Sequence, residues 1–216
     1  MAKNAVWQDD YWLLLMHIYL QKPVGLKPLY SRSMVDLSLE LHIAPRTLQS
    51  RMEQIATLST PRIERIWQQY SKNPKRLARA VRLLRSMKGF GAADEFYEGV
   101  EVQETFEKDF HPLSEDNRFT PIMLILILDL YFKLTPSTMV SQTPEVTELA
   151  QLLNLSSSDI VDVLHIFLVC DPYMTNVDLT FSPLLLPCQQ IWRRFDGDEG
   201  KLLRQTAEEM REYFLS

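Results

Sequence analysis

Basic side chains are concentrated along residues 62–88, a stretch with nine bases and one acid. The bases are Arg62, Arg65, Lys72, Lys75, Arg76, Arg79, Arg82, Arg85 and Lys88, and the acid is Glu64. On a helical wheel Lys75, Arg79 and Arg82 share one face, and an apolar stripe lies opposite. The flanking bases are Arg76 and Arg85, and the stripe is Leu77, Ala80, Val81, Leu84 and Met87. This pattern predicts a helix whose apolar face packs on a core, while its basic face either binds phosphates or forms salt bridges with an acidic segment.

The charge of the chain is divided unevenly along its length. Residues 1–90 hold 15 Lys and Arg against 6 Asp and Glu, a balance of +9, whereas residues 91–216 hold 8 against 22, a balance of −14. The two parts together give the net charge of −5. Such a division predicts a polyanionic partner for the basic part, or else attraction between the two parts.

Helices are expected to position these charges. The chain is 46% hydrophobic and contains only 6 glycines against 12 prolines, a composition that favours helices. Apolar residues recur at three- and four-residue spacing, and Pro45, Pro61 and Pro74 each suit the first turn of a helix. The predicted helices lie near residues 8–21, 34–42, 45–58, 61–71 and 74–88, and near 120–133, 144–153, 156–169, 185–195 and 199–214.

The chain contains a weak internal repeat. At an offset of 112 residues, a run of apolar positions in the first half coincides with apolar positions in the second. These are Leu37, Leu41, Ile43, Leu48, Met52 and Ile55, which fall on Leu149, Leu153, Leu155, Ile160, Leu164 and Phe167. At an offset of 125 the segment Ile66–Tyr70 meets Ile191–Phe195, so one insertion of 13 residues reconciles the two offsets. We place the insertion in 169–186, where Val177–Phe181 alternates like a short strand.

Residues Leu37–Leu48 (sequence LSLELHIAPRTL) resemble the helix-turn-helix of many bacterial regulators, and Leu149–Ser156 matches the same pattern. In that pattern Ser38 and Ala150 are small where two helices cross. His42 and Asn154 fall at the turn, where a left-handed backbone is needed. Ser156 is a good N-cap for the second helix, whereas Ala44 is not.

The resemblance predicts a mainly α fold with two tandem helix-turn-helix repeats, winged-helix-like, and a possible short β-hairpin wing in the second. We expect a basic N-terminal repeat at 1–90, an acidic connecting segment at 91–119 and an acidic C-terminal repeat at 120–216. The connecting segment also carries many aromatic residues, so we expect it to pack on one or both repeats. A further hypothesis is that its acids, within 94–116, cover the basic face and compete with the DNA that such regulators bind.

In proteins of this kind the second helix enters the major groove of DNA. The resemblance therefore implies that Arg46, Thr47, Gln49 and Ser50 face base edges, since Arg pairs with guanine and Gln with adenine. Arg51 and Arg32 are expected to reach phosphates, and so, from the basic helix, are Lys75, Arg76, Arg79 and Arg82. The alternative is that all of these are ordinary solvated side chains.

The equivalent helix of the second repeat carries Asp159 and Asp162 and has neither Lys nor Arg. Carboxylates would be repelled by phosphates, so we expect this repeat to serve protein contact or dimerisation.

Patterns typical of enzymes are missing from the sequence. Gly89–Gly91 lacks the spacing of a phosphate loop, and we find neither a metal-ligand motif nor a nucleophile in a catalytic context. We therefore expect no enzymatic activity, no cofactor and no metal.

The expected location follows from three features of the sequence. It has no secretory signal pattern and no apolar run of membrane-spanning length, and Cys170 and Cys188 suit reduced thiols. We therefore expect a cytoplasmic location and no membrane partner.

The sequence thus favours a DNA-binding protein, a transcription regulator that contacts DNA through its N-terminal repeat. A second copy of the chain or another protein would bind the C-terminal repeat. Two alternatives remain open: a protein-interaction adaptor with tandem winged helices, like those of chromosome segregation, and a plasmid or phage replication initiator.

Overall fold

The computed structural model describes residues 7–87, 90, 106–174, 182–197 and 200–215. The chain divides into two compact units, residues 1–107 and 108–215. Within the described ranges every regular element is a helix, so the prediction of a mainly α fold is confirmed. The α-helices of the first unit are α1 (Tyr11–Tyr19), α2 (Arg32–Leu41), α3 (Pro45–Ala56), α4 (Pro61–Tyr70) and α5 (Pro74–Arg85). Those of the second are α6 (Pro121–Tyr131), α7 (Pro144–Leu153), α8 (Ser157–Cys170), α9 (Leu185–Phe195) and α10 (Lys201–Leu215).

In the first unit, α1 is the central helix. Its residues Leu14, Leu15 and Met16 are at most 2% exposed, and the helix contacts all four of the others. Because α1 is apolar on nearly every side, it is stable only when other helices surround it. The core of this unit therefore forms around α1, and α2 to α5 expose their polar faces.

The second unit is built in the same order around α6. Leu124, Ile125 and Ile127 are fully buried, and α6 contacts α7, α8, α9 and α10. One aromatic contact occurs at corresponding places in both units. The ring centroids of Tyr19 and Trp67 lie 5.9 Å apart at an interplanar angle of 74°, and those of Tyr131 and Trp192 lie 5.7 Å apart at 72°.

The ten predicted helices are confirmed to within three residues at each end. Pro45, Pro61 and Pro74 all occupy the first turn of their helices, as predicted. Helix α1 is shorter than predicted at both ends, and α2 begins earlier, at Arg32, directly after the buried Ser31.

The predicted packing of the apolar stripe on α5 is wrong at one position. Leu77, Val81 and Leu84 are buried, but Met87 is 62% exposed. Helix α5 ends at Arg85, so Met87 no longer follows the helical period that would have placed it above Leu84.

Two turns have the geometry that the sequence predicts. His42 (φ 53°, ψ 34°) and Asn154 (φ 55°, ψ 42°) are both left-handed and end α2 and α7. Three residues separate α2 from α3, and three separate α7 from α8. The chain bends by 109° between α7 and α8. Ser38 is fully buried and Ala150 is 3% exposed, which agrees with the need for small side chains beside these turns.

The expected strand at Val177–Phe181 lies outside the described residues. The proposed boundaries at 90 and 119 remain predictions. None of the described helices is by itself long and apolar enough to cross a membrane. The bent pair of α7 and α8 reaches the required length and apolar composition only when both helices are counted together.

Candidate nucleic-acid interface

The first turns of α3 present a row of polar side chains on the surface of the first unit. Arg46, Thr47 and Ser50 are exposed, and Gln49 is partly so. The opposite side of α3 is fixed by burial, because Leu48 and Met52 are fully buried and Ile55 is 2% exposed. The rotation of α3 about its axis is therefore determined by its apolar side, and the polar row must face outward.

The turn before α3 sets the direction in which this row points. Its backbone is closed by the Ile43 amide, which donates to the Ser38 carbonyl at 3.1 Å. Ala44 provides no side-chain cap, and Pro45 supplies the first helical residue.

A distant carboxylate also holds this turn. His42 Nδ1 lies 2.9 Å from Glu107 Oε1, and Glu107 is only 6% exposed. Sequence reasoning missed this contact, since 65 residues separate the partners and no local pattern connects them.

Arg51 lies on the flank of α3, where its guanidinium contacts two indole rings. The carbon at its centre is 5.3 Å from the ring centroid of Trp7 and 5.8 Å from that of Trp12. Nη1 also donates to Gln54 Oε1 at 3.4 Å. Arg51 was expected to reach phosphates. In this structure its charge is engaged by aromatic faces, which fastens α3 to the residues at the start of α1.

The basic residues of α5 lie on its exposed side. Lys75, Arg76, Arg79 and Arg82 are all exposed, as the helical wheel predicts, while Leu77, Val81 and Leu84 face the core. The guanidinium of Arg76 lies 5.5 Å from the Tyr70 ring centroid. Among the described residues neither Arg79 nor Arg82 forms an ion pair. Arg32, which is also exposed, stands at the first residue of α2.

Arg85, by contrast, is used within the unit. Its Nε and Nη2 donate to Glu40 Oε1 and Oε2 at 2.7 and 2.6 Å, a two-pronged contact that connects α5 to α2. This contact leaves Arg79 and Arg82 as the more available cations on α5.

The corresponding helix end in the second unit is occupied by acids. Ser156 Oγ accepts from the Asp159 amide at 3.1 Å, and Asp159 Oδ2 accepts from the Ser156 amide at 3.1 Å, which forms a capping box. Arg118 donates to Asp159 Oδ1 at 2.8 Å and to Asp116 Oδ2 at 2.7 Å. The Ser156 hydroxyl and then Arg118 hold the pKa of Asp159 below its ordinary value. A phosphate at this helix end would meet a carboxylate that is held in its ionised form.

Acids of the predicted connecting segment pair at several places. Glu107 contacts His42 in the first unit, and within the second unit Asp109 accepts from Arg194 at 2.8 Å. The buried Phe110 and Phe119 fit the expectation that this segment packs on its neighbours. The acids at positions 94–104, which the covering hypothesis needs most, lie outside the described residues.

The two cysteines are free thiols of the second unit. Cys188 is fully buried and Cys170 partly so. Burial raises the pKa of Cys170 to about 11, so its thiolate is scarce at neutral pH. Within the described ranges the structure has no cluster of three or more His, Cys, Asp or Glu that would hold a metal ion.

Comparison with known proteins adds no relative to this description, since no protein-family model, no curated protein and no solved structure matches the chain.

Proposed function

We propose that the chain is a DNA-binding protein, a transcription regulator that contacts DNA through its first unit. The main support is the polar row of α3, in which Arg46, Thr47, Gln49 and Ser50 follow a tight left-handed turn. A helix presented in this way after a crossing helix has the form of the helix-turn-helix recognition element. Arg46 and Gln49 would then read guanine and adenine in the major groove.

The basic side of α5 supports the same proposal. Its first turn holds Lys75 and Arg76 with no acid, the reverse of the usual preference for acids near a helix N-terminus. Cations at this position become favourable when an anion lies against them. We therefore assign Lys75, Arg76, Arg79 and Arg82 to the phosphate backbone, with Arg32 at the start of α2 as a further contact.

The second unit has a different role in this proposal. The shared helix order, the paired left-handed turns and the repeated Tyr–Trp contact favour descent of both units from one helix-turn-helix ancestor. Because α8 begins among ionised acids, the second unit would bind a protein partner or a second copy of the chain. The protein would act in the cytoplasm without catalysis and without a cofactor.

The test measures binding of the full chain to DNA. Duplexes enriched from a random pool are titrated by fluorescence anisotropy at two salt concentrations. Arg79→Ala with Arg82→Ala should weaken binding to every sequence and lower the salt slope by about 0.9 for each phosphate that is no longer neutralised. Arg46→Ala should instead reduce discrimination between preferred and other duplexes, by about 1–3 kcal/mol.

Arg193→Ala is the control for a single charge, since it removes one exposed cation from the second unit, and it is compared with Arg79→Ala alone. The proposal fails if the wild-type chain does not bind DNA at low salt. It also fails if Arg193→Ala weakens binding as much as Arg79→Ala does.

A protein-interaction adaptor is the second candidate. It is favoured by large side chains that the second unit exposes, with Tyr173 at 91% and Phe132 at 58%. Absence of DNA binding, together with recovery of a stable partner complex, would favour the adaptor.

A further inference from the structure

The second unit contains a cavity of about 500 Å³ with an aromatic wall. It lies where the ends of α6 and α9 meet the segment after α8 and the start of α10. Phe132, Tyr173 and Trp192 line it, and its volume falls in the range of ordinary ligand pockets.

The aromatic wall is more exposed than packing of this unit requires. Phe132 and Trp192 stack at 5.4 Å between ring centroids with a 35° tilt, and Tyr173 is 91% exposed. At the position 112 residues before Phe132 the first unit has Leu20, a partly buried residue packed against the core. An aliphatic side chain is therefore sufficient at this place in the fold, and the exposed aromatic face of Phe132 is available to a ligand.

Carboxylates stand beside the wall, and one of them is held in a fixed orientation. Asp171 Oδ2 accepts from the Tyr131 hydroxyl at 2.6 Å, and Oδ1 accepts from the Tyr173 amide at 2.9 Å. Asp196, at the end of α9, also lines the cavity and is exposed.

Two cations line the cavity as well, and they do not cancel these acids. Lys133 Nζ donates to Asp129 Oδ2 at 2.5 Å, so this pair is neutral as a whole. Arg204 is the remaining cation, and it lines the same cavity as Asp171 and Asp196. The balance of charge beside the aromatic wall is therefore negative.

We propose that this cavity binds an arginine side chain presented by a partner polypeptide. A planar guanidinium stacks well on indole and phenyl faces, and it also donates two parallel hydrogen bonds to a carboxylate. The stacked Phe132 and Trp192 provide the faces, and Asp171 and Asp196 provide the carboxylates. The residues differ from those that we assign to DNA, so this inference goes beyond the proposed function and does not depend on it.

The test is a calorimetric titration of the full chain with an eight-residue peptide that carries two arginines between alanines and glycines. We expect saturable binding at low salt. Phe132→Ala should weaken it about fivefold or more through loss of the cation–π contact, and Asp196→Asn should weaken it through loss of charge. Both residues are exposed, so neither change is expected to unfold the unit, and circular dichroism checks this.

Three controls make the result specific. Asp162→Asn removes an equal charge from an exposed position of α8 and should leave the peptide affinity unchanged. The same peptide with glutamine in place of arginine should not bind. Phe132→Ala should leave DNA binding by the first unit unchanged, which separates failure here from failure of the proposed function.

Each contrary outcome overturns the inference. It is wrong if the arginine peptide does not bind, if the glutamine peptide binds equally well, or if Phe132→Ala and Asp196→Asn match the wild type. It is also wrong if sedimentation shows a homodimer that Phe132→Ala dissociates while the peptide has no effect, because a second copy would then be the occupant.

Discussion

Three of the described residues other than glycine, His42, Leu58 and Asn154, adopt a left-handed backbone conformation that most side chains avoid. His42 and Asn154 are left-handed without being glycine, which costs roughly 1–2 kcal/mol for an ordinary residue and less for Asn. At His42 the contact with Glu107 helps to hold the ring in place. Asn154 is exposed, so the consequence of its conformation can be tested in isolation.

Asn154→Ala should destabilise the chain by about 1 kcal/mol, because alanine, unlike asparagine, has no polar side chain that can offset the steric cost of the left-handed region. Asn154→Gly should be neutral or slightly stabilising, since glycine has no Cβ to clash. Urea unfolding followed by circular dichroism measures both. Equal stability of the two variants would contradict the left-handed geometry at this turn.

Asp159 makes stability depend on pH in a predictable direction. Its hydrogen bonds with Ser156 and Arg118 lower its pKa from the ordinary value of 3.8, so the folded chain binds this proton less readily than the unfolded chain. The stabilisation is complete above pH 3.8 and is lost as pH falls through the lowered pKa.

Asp159→Asn should therefore be less stable than the wild type at pH 7, and the difference should shrink below about pH 4. Urea unfolding at pH 7, 5, 4 and 3 measures this trend. Asp162→Asn, the same charge change on the same helix, should not reproduce it. A difference that stays constant across these pH values would rule out the capping and ion-pair contribution.

At the scale of elements, α5 shows how a helix end changes the role of a side chain. The apolar period of the sequence continues to Met87, but the helix stops at Arg85 and leaves Met87 exposed. Three residues earlier, Leu84 is only 8% exposed and packs in the core of the first unit.

Leu84→Ala should cost about 2–5 kcal/mol, because it removes a side chain packed in the core. Met87→Ala should change stability by no more than about 0.5 kcal/mol, as expected for an exposed position. Urea midpoints of the two variants give the comparison. Similar losses in both would mean that α5 continues past Arg85.

Most of the fold could be predicted from the sequence at this scale. The first residues of α3, α4 and α5 follow from Pro45, Pro61 and Pro74, since proline tolerates only the first turn. Helix ends were less accurate, as α1 shows, because a few residues of fraying change little in local free energy. The surface row of α3 was also predicted, since helical periodicity decides which positions face outward.

At the scale of the whole molecule, the two units differ in charge. Residues 1–107 hold 15 Lys and Arg against 12 Asp and Glu, and residues 108–216 hold 8 against 16. Half of the acids in the first unit lie at 94–107, and one of them, Glu107, contacts His42 beside α3. The acidic segment thus reduces the positive charge of the unit that we assign to DNA.

Neutralising the segment should therefore tighten DNA binding at low salt. The variant replaces its acids with the corresponding amides at Asp94, Glu95, Glu98, Glu101 and Glu104. The expected gain should diminish as salt rises, because screening weakens charge repulsion. Fluorescence anisotropy with the same duplex measures the change.

The control neutralises five acids of the second unit, at Glu145, Glu148, Glu208, Glu209 and Glu212. An equal gain in affinity in this control would indicate that the gain comes from net charge alone and not from the position of the segment. An unchanged affinity in the segment variant would remove the hypothesis that these acids compete with DNA.

The sequence alone determined the local features of this protein: its helices, the left-handed turns at His42 and Asn154, and the cap at Ser156. These depend on interactions within four residues or so, which periodicity and residue type reveal. Only the tertiary structure decided which charges remain available. Arg85 pairs with Glu40 across 45 residues, Glu107 contacts His42 across 65, and Arg51 lies against Trp7 and Trp12. These partners are brought together by the packing of whole helices. The type of a polar residue therefore predicts its exposure but not the group with which it interacts.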